Sequence, residues 1–220
     1  MSESLISKTK IPHNLMEELS ILELAEKGGW IMIVLAILSI IAVYIFTERF
    51  IIIRNAAKDD QLFMARIRDY IKEGDIKSAI NYCRVTNTPG ARIIERGISR
   101  IGHPAPEIQT AIENTGNLEV AVLEKRLHVL ATISGGAPMI GFLGTVIGMV
   151  EAFWQMSNSG GNIDISLLSS GIYQAMVTTV GGLIVGIIAL FAYNYLVAKV
   201  DGVVNELERK TLTFMDLLNE

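Results

Sequence analysis

The sequence has little of what catalysis is built from. Its 220 residues include one cysteine, Cys83, so no disulfide can close within the chain and no paired-cysteine metal spacing exists. Its three histidines, His13, His103 and His128, stand in three separate regions, which leaves no metal set. A G-x-S-x-G elbow, an H-E-x-x-H helix and a G-x-x-x-x-G-K-[ST] phosphate loop are all missing. The chain is therefore read as no enzyme, with no cofactor and no metal. The net charge of −4 gives no overall pull toward nucleic acid. Internal repeats and low-complexity stretches are absent as well. Cys83 reads as a small buried apolar residue.

What the chain does have is apolar sequence, at half of all residues, with only 19% charged. That mixture predicts a few membrane spans joined to a polar domain. Trp30–Phe46 is an unbroken run of 17 residues without a charge. A bilayer core of about 30 Å needs roughly 20 helical residues, and Gly28, Gly29 and Thr47 extend the run. The tail before it is long and mixed in charge and no A-x-A site follows, so the run reads as a span and not a signal peptide. Two further spans are expected near Leu130–Trp154 and Tyr173–Val197. The predicted fold class is an all-α membrane protein: three transmembrane helices, long helices extending into the cytoplasm, and an oligomeric helical ring.

Basic residues set the predicted orientation. Between Arg49 and Arg126 lie 13 of the 19 lysines and arginines, whereas Gln155–Ile172 has none. The large loop and the C-terminus are placed in the cytoplasm, the N-terminus and the short loop outside. Lys8, Lys10 and Lys27 oppose this mildly and are diluted by nearby glutamates. The segments expected are a periplasmic amphipathic helix within 1–28, spans at 29–48, 129–156 and 172–197, a cytoplasmic helical loop over 49–128, a short periplasmic loop over 157–171, and a cytoplasmic C-terminal helix over 198–220.

Outside the spans the pattern is helical. In His13–Ala25, Leu15, Leu19, Leu22 and Ala25 share a face opposite Glu17 and Glu23, as in a helix resting on a membrane surface or packed on a neighbour. Leu62, Ile67 and Ile71 recur at helical spacing, as do Ile76, Ala79, Ile80 and Cys83, with Gly74-Asp75 as the turn between them. From Glu107 a third pattern runs through Ile108, Ile112, Leu123, Leu127 and Leu130. With no breaker before Gly135, it predicts a helix continuing straight into the second span. Val200, Val204, Leu207, Phe214 and Leu218 continue the third span as an amphipathic stripe. Each long helix would measure roughly 70 Å. Such a stripe cannot bury its face alone and calls for other helices or other copies.

The spans carry more small and polar residues than lipid requires. Gly144-x-x-x-Gly148 and Gly182-x-x-x-Gly186 are small-residue faces that predict close packing of spans two and three. Pro138 removes one backbone bond and marks a candidate kink. Thr145, Thr178 and Thr179 are the deepest hydroxyls. Each either bonds a carbonyl of its own helix or lines a path. Gln174 and Glu151 stand near the outer ends of their spans, Gln174 unable to titrate and Glu151 a headgroup-level carboxylate or a proton site. No carboxylate lies in the middle of any span, so an ion-coupled mechanism needs a partner to supply one.

The run Ala137-Pro138-Met139-Ile140-Gly141-Phe142-Leu143-Gly144-Thr145-Val146-Ile147-Gly148-Met149 resembles the MotA/TolQ/ExbB proton-channel family. So do the block Ala175–Thr179 with Gly182-Leu183 and Tyr193-Asn194, and the loop pattern of Gly74-Asp75, Ala79, Cys83 and Pro89. Length and three spans are similar to the ExbB and TolQ branches, with ExbB the better match, and unlike the four-span MotA branch. The resemblance implies an inner-membrane homopentamer, its ring built from spans two and three around the transmembrane helices of an ExbD- or TolR-like partner. The partner's aspartate would take the proton, facing Thr145 and Thr179, with Thr178 and Gln174 beside that path. Proton motive force would then drive a TonB-like protein and transport across the outer membrane. The alternatives are a TolQ-like subunit, a motility-motor stator, a sodium-driven version, or a non-conducting scaffold. Two positions depart from the family: Gln174 where many members have glutamate, and Ile188 where many have proline.

Overall fold

The structure is a computed structural model and describes residues 29–57, 62–158 and 165–219. The expected amphipathic helix at His13–Ala25 lies outside the described residues, as does most of the short loop after the second span. Among the described residues the chain forms seven helices and no strand. They are α1 (Gly29–Ala56), α2 (Phe63–Lys72), α3 (Ile76–Thr86), α4 (Pro89–Ile98), α5 (Ala105–Glu124), α6 (Leu127–Asn158) and α7 (Ile165–Asn219). Three stretches are long and apolar enough to cross a membrane, in α1, in α6 and in α7. Their number is the three that the sequence predicts.

Two compact units make up the chain. The first comprises the described residues of Met1–Leu38 with Ala137–Val185. Here parts of α1, α6 and α7 meet through small side chains. Ala137, Ala152, Ala175 and Val177 are buried, together with Ile31 and Leu35 of α1. Leu35 Cδ1 and Met32 Sδ lie against Gly181, where an added Cβ would come within 3.6 and 3.0 Å of them. Larger apolar groups point outward instead: Phe142, Phe153, Trp154, Met176 and Ile184 are all more than half exposed. A surface of that kind requires lipid or further helices around it.

The second unit comprises Ser39–Gly136 and Gly186–Glu220. Its centre is a helical bundle in which Ile67, Ala79, Cys83, Ala91, Ile94, Ile98, Ile112 and Leu123 are buried. The caps match the sequence. Gly74 turns the chain at φ +75, and Asp75 caps α3 by accepting from the Ser78 N–H at 3.0 Å. The Ser78 hydroxyl and then this backbone bond hold the Asp75 carboxyl below its usual range. Asn87 closes α3 in the left-handed region, Thr88 accepts from the Ala91 N–H at 3.3 Å, and Pro89 opens α4. A two-pronged pair ties α4 to α5: Arg92 donates to Glu119 at 2.6 and 2.5 Å. The C-terminal stripe is met through Val200, Val203, Leu207 and Phe214, so Val203 and not Val204 holds the core position. Leu62 departs from its expected face and is 59% exposed, because it precedes α2 and Phe63 is buried in its place.

The helix expected to run unbroken from Glu107 into the second span is interrupted. Lys125 is extended (φ −50, ψ 131) and Arg126 is left-handed (φ +68), which ends α5 and starts α6. Neither is a helix breaker by propensity, and a left-handed arginine is held at a cost of about 1–2 kcal/mol. Contacts with α1 fix the break. Arg49 donates to the Val122 carbonyl at 3.0 Å, satisfying an acceptor the end of α5 leaves open. Glu48 then accepts from Arg126 at 2.6 Å and from Arg49 at 3.2 Å. Arg49 is only 4% exposed, and its Nε has no partner among the described residues.

Cys83 is fully buried, and burial, then the nearby Glu95, push its thiol up to about 12. An ordinary thiol near 8.5 gains reactivity steadily from pH 7 to 9. Native protein should show no alkylation by a maleimide across that range and full alkylation once unfolded. Rapid labelling of the native chain would show that the α3 core opens freely.

Candidate functional site

Span two meets span three through a seam of small residues within the first unit. From α6 it takes Ala137, Gly141, Gly144, Gly148 and Ala152, and from α7 Gly171, Ala175, Thr178 and Gly182. The approach is closest at Gly141 and Gly182. A Cβ on Gly182 would lie 2.6 Å from the Ala137 carbonyl oxygen and 2.8 Å from Gly141 Cα. One on Gly141 would lie 2.8 Å from the Thr178 carbonyl oxygen and 3.0 Å from Gly182 Cα. Backbone therefore touches backbone, the geometry that only glycine permits. Gly144 instead lies against the Thr178 side chain, and Gly148 against Ala175 Cβ at 3.1 Å. Gly186, the other half of the second sequence motif, is buried in the second unit. Pro138 sits inside α6, which continues unbroken through it.

The seam concentrates hydroxyls on one acceptor. Thr179 donates to the Gly141 carbonyl at 3.2 Å, and Thr178 reaches the same oxygen at 3.4 Å while donating to Ala175 of its own helix at 2.8 Å. In the regular helical pattern that carbonyl also faces the Thr145 N–H one turn on. Thr145 donates its hydroxyl to the Phe142 carbonyl at 2.5 Å. The three threonines thus gather around one turn of α6, Gly141–Thr145. They differ in access. Thr178 is 1% exposed and is spent inside the seam. Thr145 and Thr179 are partly exposed beside it. Gln174 stands apart from them: its amide nitrogen would be 2.9 Å from a Cβ on Gly29, at the head of α1.

Chemically this turn offers hydroxyl oxygens and a carbonyl within an apolar wall. Such groups can solvate a proton-carrying group or a cation but cannot themselves carry charge at neutral pH. Among the described residues no cluster of three histidines, cysteines or carboxylates gathers that could hold a metal ion. Sequence reasoning singled out the threonines and not the Gly141 carbonyl. Its nearest signal was the glycine at 141 three residues before the Gly144 motif, which widens the small-residue face by one turn.

A family model described as the MotA/TolQ/ExbB proton channel family matches residues 85–209. The chain is similar to a putative biopolymer transport protein ExbB-like 1 of Synechocystis, 31% identical over 180 residues, covering 78% of this chain and 68% of the relative. A putative biopolymer transport protein ExbB homolog of Methanothermobacter thermautotrophicus is 27% identical over 191 residues, 86% of this chain and 67% of the relative. The Tol-Pal system protein TolQ of Haemophilus influenzae is 28% identical over 201 residues, 84% of this chain and 88% of the relative.

Proposed function

This chain belongs to the MotA/TolQ/ExbB proton channel family, and from that premise we propose that it is the ExbB-like ring subunit of an inner-membrane motor driven by proton motive force. Its partner is an ExbD- or TolR-like protein with a membrane carboxylate, and its output is work on a TonB-like protein for transport across the outer membrane. The ring is a homopentamer, with the N-terminus periplasmic and the C-terminus cytoplasmic. The observation that supports this most is the gathering of Thr145 and Thr179 on the Gly141–Thr145 turn of α6, partly exposed on an otherwise apolar wall.

The mechanism follows from what those groups can do. A protonated partner carboxyl is neutral and crosses an apolar wall readily, whereas its ionised form does not. Hydroxyls at the Gly141 turn give the ionised form a donor at one depth of the span, so charge is tolerated there and excluded elsewhere. Thr179 can rotate its hydroxyl from the Gly141 carbonyl to such an acceptor without moving backbone. Thr178, locked in the seam, keeps the two helices in register. Each charge moved across 100 mV releases about 2.3 kcal/mol, enough to bias a partner between two orientations. Gln174 sits on neutral ground near the head of α1, which leaves the partner as the carrier of the titrating group.

The chain spans more of its TolQ relative than of either ExbB-like relative. That coverage supports a second reading, in which the same ring serves envelope integrity with a TolR-like partner. The partner and not the ring decides between them.

Proton flux into liposomes carrying the co-purified complex tests the proposal. Thr179→Val is expected to lower flux roughly tenfold, the equivalent of about 1.4 kcal/mol of barrier, while the complex elutes at the same size. The partner's membrane aspartate changed to asparagine is expected to abolish it. Flux unchanged in Thr179→Val would remove the threonine from the path. Absence of flux in the wild type, with TonB-like protein supplied, would leave a non-conducting scaffold.

A further inference from the structure

Within the second unit, α1 and α7 form a cleft of about 270 Å³ lined by Phe50, Ile53, Arg54, Tyr195, Leu196 and Lys199. Its floor is dry: Ile53 is 2% and Leu196 0% exposed. Phe50 and Tyr195 stack at 6.3 Å between centroids with an interplanar angle of 28°, and Phe46 continues the aromatic row against both. At the mouth stand two cations. Lys199 Nζ lies 5.7 Å from the centre of the Tyr195 ring. Arg54 is exposed, and among the described residues neither it nor Lys199 has an ion-pair partner.

The depth of the cleft along the spans is informative. Counted from Trp30, roughly 20 helical residues bring α1 to the far edge of a 30 Å hydrocarbon core near Arg49–Phe50. Arg54 is then about 7 Å further along, within the headgroup layer. Lys199 lies two residues past the end of the expected third span, with Tyr195 one turn before it. Apolar walls at and just beyond the core edge therefore give way to two cations at headgroup depth, with Tyr195 near the boundary where tyrosine is enriched. A soluble anion would find the cations but has no use for the apolar floor. A zwitterionic lipid would fill the floor but bring its own ammonium up against the two cations.

We propose that this cleft is a binding site for one anionic phospholipid, its phosphate between Arg54 and Lys199 and an acyl chain laid along Phe46, Phe50 and Tyr195. The site is independent of the ion the chain conducts, so it stands or falls apart from the proton-path reading. Each cation near a membrane surface contributes about 1 kcal/mol to anionic lipid binding, which is about fivefold in affinity.

The test is native mass spectrometry of the purified protein in mild detergent, titrated with phosphatidylglycerol and, separately, with phosphatidylcholine of the same chains. Retention of phosphatidylglycerol in clear preference to phosphatidylcholine is expected. Arg54→Gln and Lys199→Gln should each weaken retention about fivefold and the double variant about 30-fold, whereas Arg54→Lys with Lys199→Arg should keep it. Equal retention of both lipids, or full retention in the double variant, would overturn the proposal. Competition by millimolar inorganic phosphate would overturn it in favour of a free-anion site. A photoreactive phosphatidylglycerol on the wild type gives a check that no variant can spoil. Adducts at Phe50 or Tyr195 support the site, and adducts confined to other helices refute it.

Discussion

Gly182→Ala is expected to separate spans two and three and to destabilise the folded chain by about 3 kcal/mol. Two effects compete. Alanine in a helix interior is favoured over glycine by about 1 kcal/mol. Against that, the new methyl would sit 2.6 Å from the Ala137 carbonyl oxygen, 2.8 Å from Gly141 Cα and 3.1 Å from Gly141 N. These are main-chain atoms of a packed helix, so no side chain can rotate aside. The helices must move apart, and the 3.2 Å bond from Thr179 to Gly141 goes with them. Steric exclusion therefore outweighs propensity. Gly135→Ala and Gly202→Ala are the controls, since a Cβ at either meets nothing within 4 Å. They should melt at or above the wild-type temperature in detergent. A Gly182→Ala protein that melts with the wild type would show that the seam tolerates separation and that the close approach is unimportant.

Phe214→Ala carries the second large effect, about 3–5 kcal/mol in the second unit. Phe214 is fully buried, and Gly97 of α4 makes room for it. A Cβ on Gly97 would lie 2.5 Å from Phe214 Cε1 and 2.8 Å from Ile112 Cδ1, and Ile112 is itself 1% exposed. Truncating the ring leaves a cavity bounded by α4, α5 and α7 that these helices cannot close. The mirror experiment is Gly97→Ala, which overfills the same place and should cost about 1–3 kcal/mol. The two changes share one volume, so they should not add: Gly97→Ala is expected to be milder when Phe214 is alanine. Denaturant unfolding followed by circular dichroism reads all four proteins. Strict additivity would mean that Gly97 and Phe214 do not meet in solution.

The spans were legible because 30 Å of hydrocarbon imposes a length that any apolar run either meets or fails. Ala79, Cys83 and Phe214 were legible as core from periodicity alone. The seam was legible as a face, since glycines at helical spacing have few other uses in lipid, but its point of closest approach was not. Gly144 and Gly148 fit the spacing rule better than Gly141, yet Gly141 is where α7 crosses, and a spacing rule does not say which turn meets the partner. The Gly141 carbonyl was invisible for a plainer reason: every residue has one, and only the fold decides which is aimed at a hydroxyl. The break at Lys125–Arg126 was hidden because its cause lies far away in sequence. Nothing local in Glu124–Lys125–Arg126 ends a helix. Glu48 and Arg49 of α1 do it, through bonds across 73 and 78 positions of chain.

The inaccessible thiol of Cys83 has a use beyond its packing. It is the chain's one cysteine, so a cysteine introduced at an open position such as Gly202 becomes the sole addressable label on each copy, with no need to disturb the native residue. A spin label there would turn copy number into a ratio of lengths. In a closed ring of five the longer label-to-label distance is about 1.6 times the shorter, and in a ring of four about 1.4 times, from the geometry of cyclic symmetry. The stoichiometry can then be measured in a native bilayer by pulsed spectroscopy on a single-substitution protein.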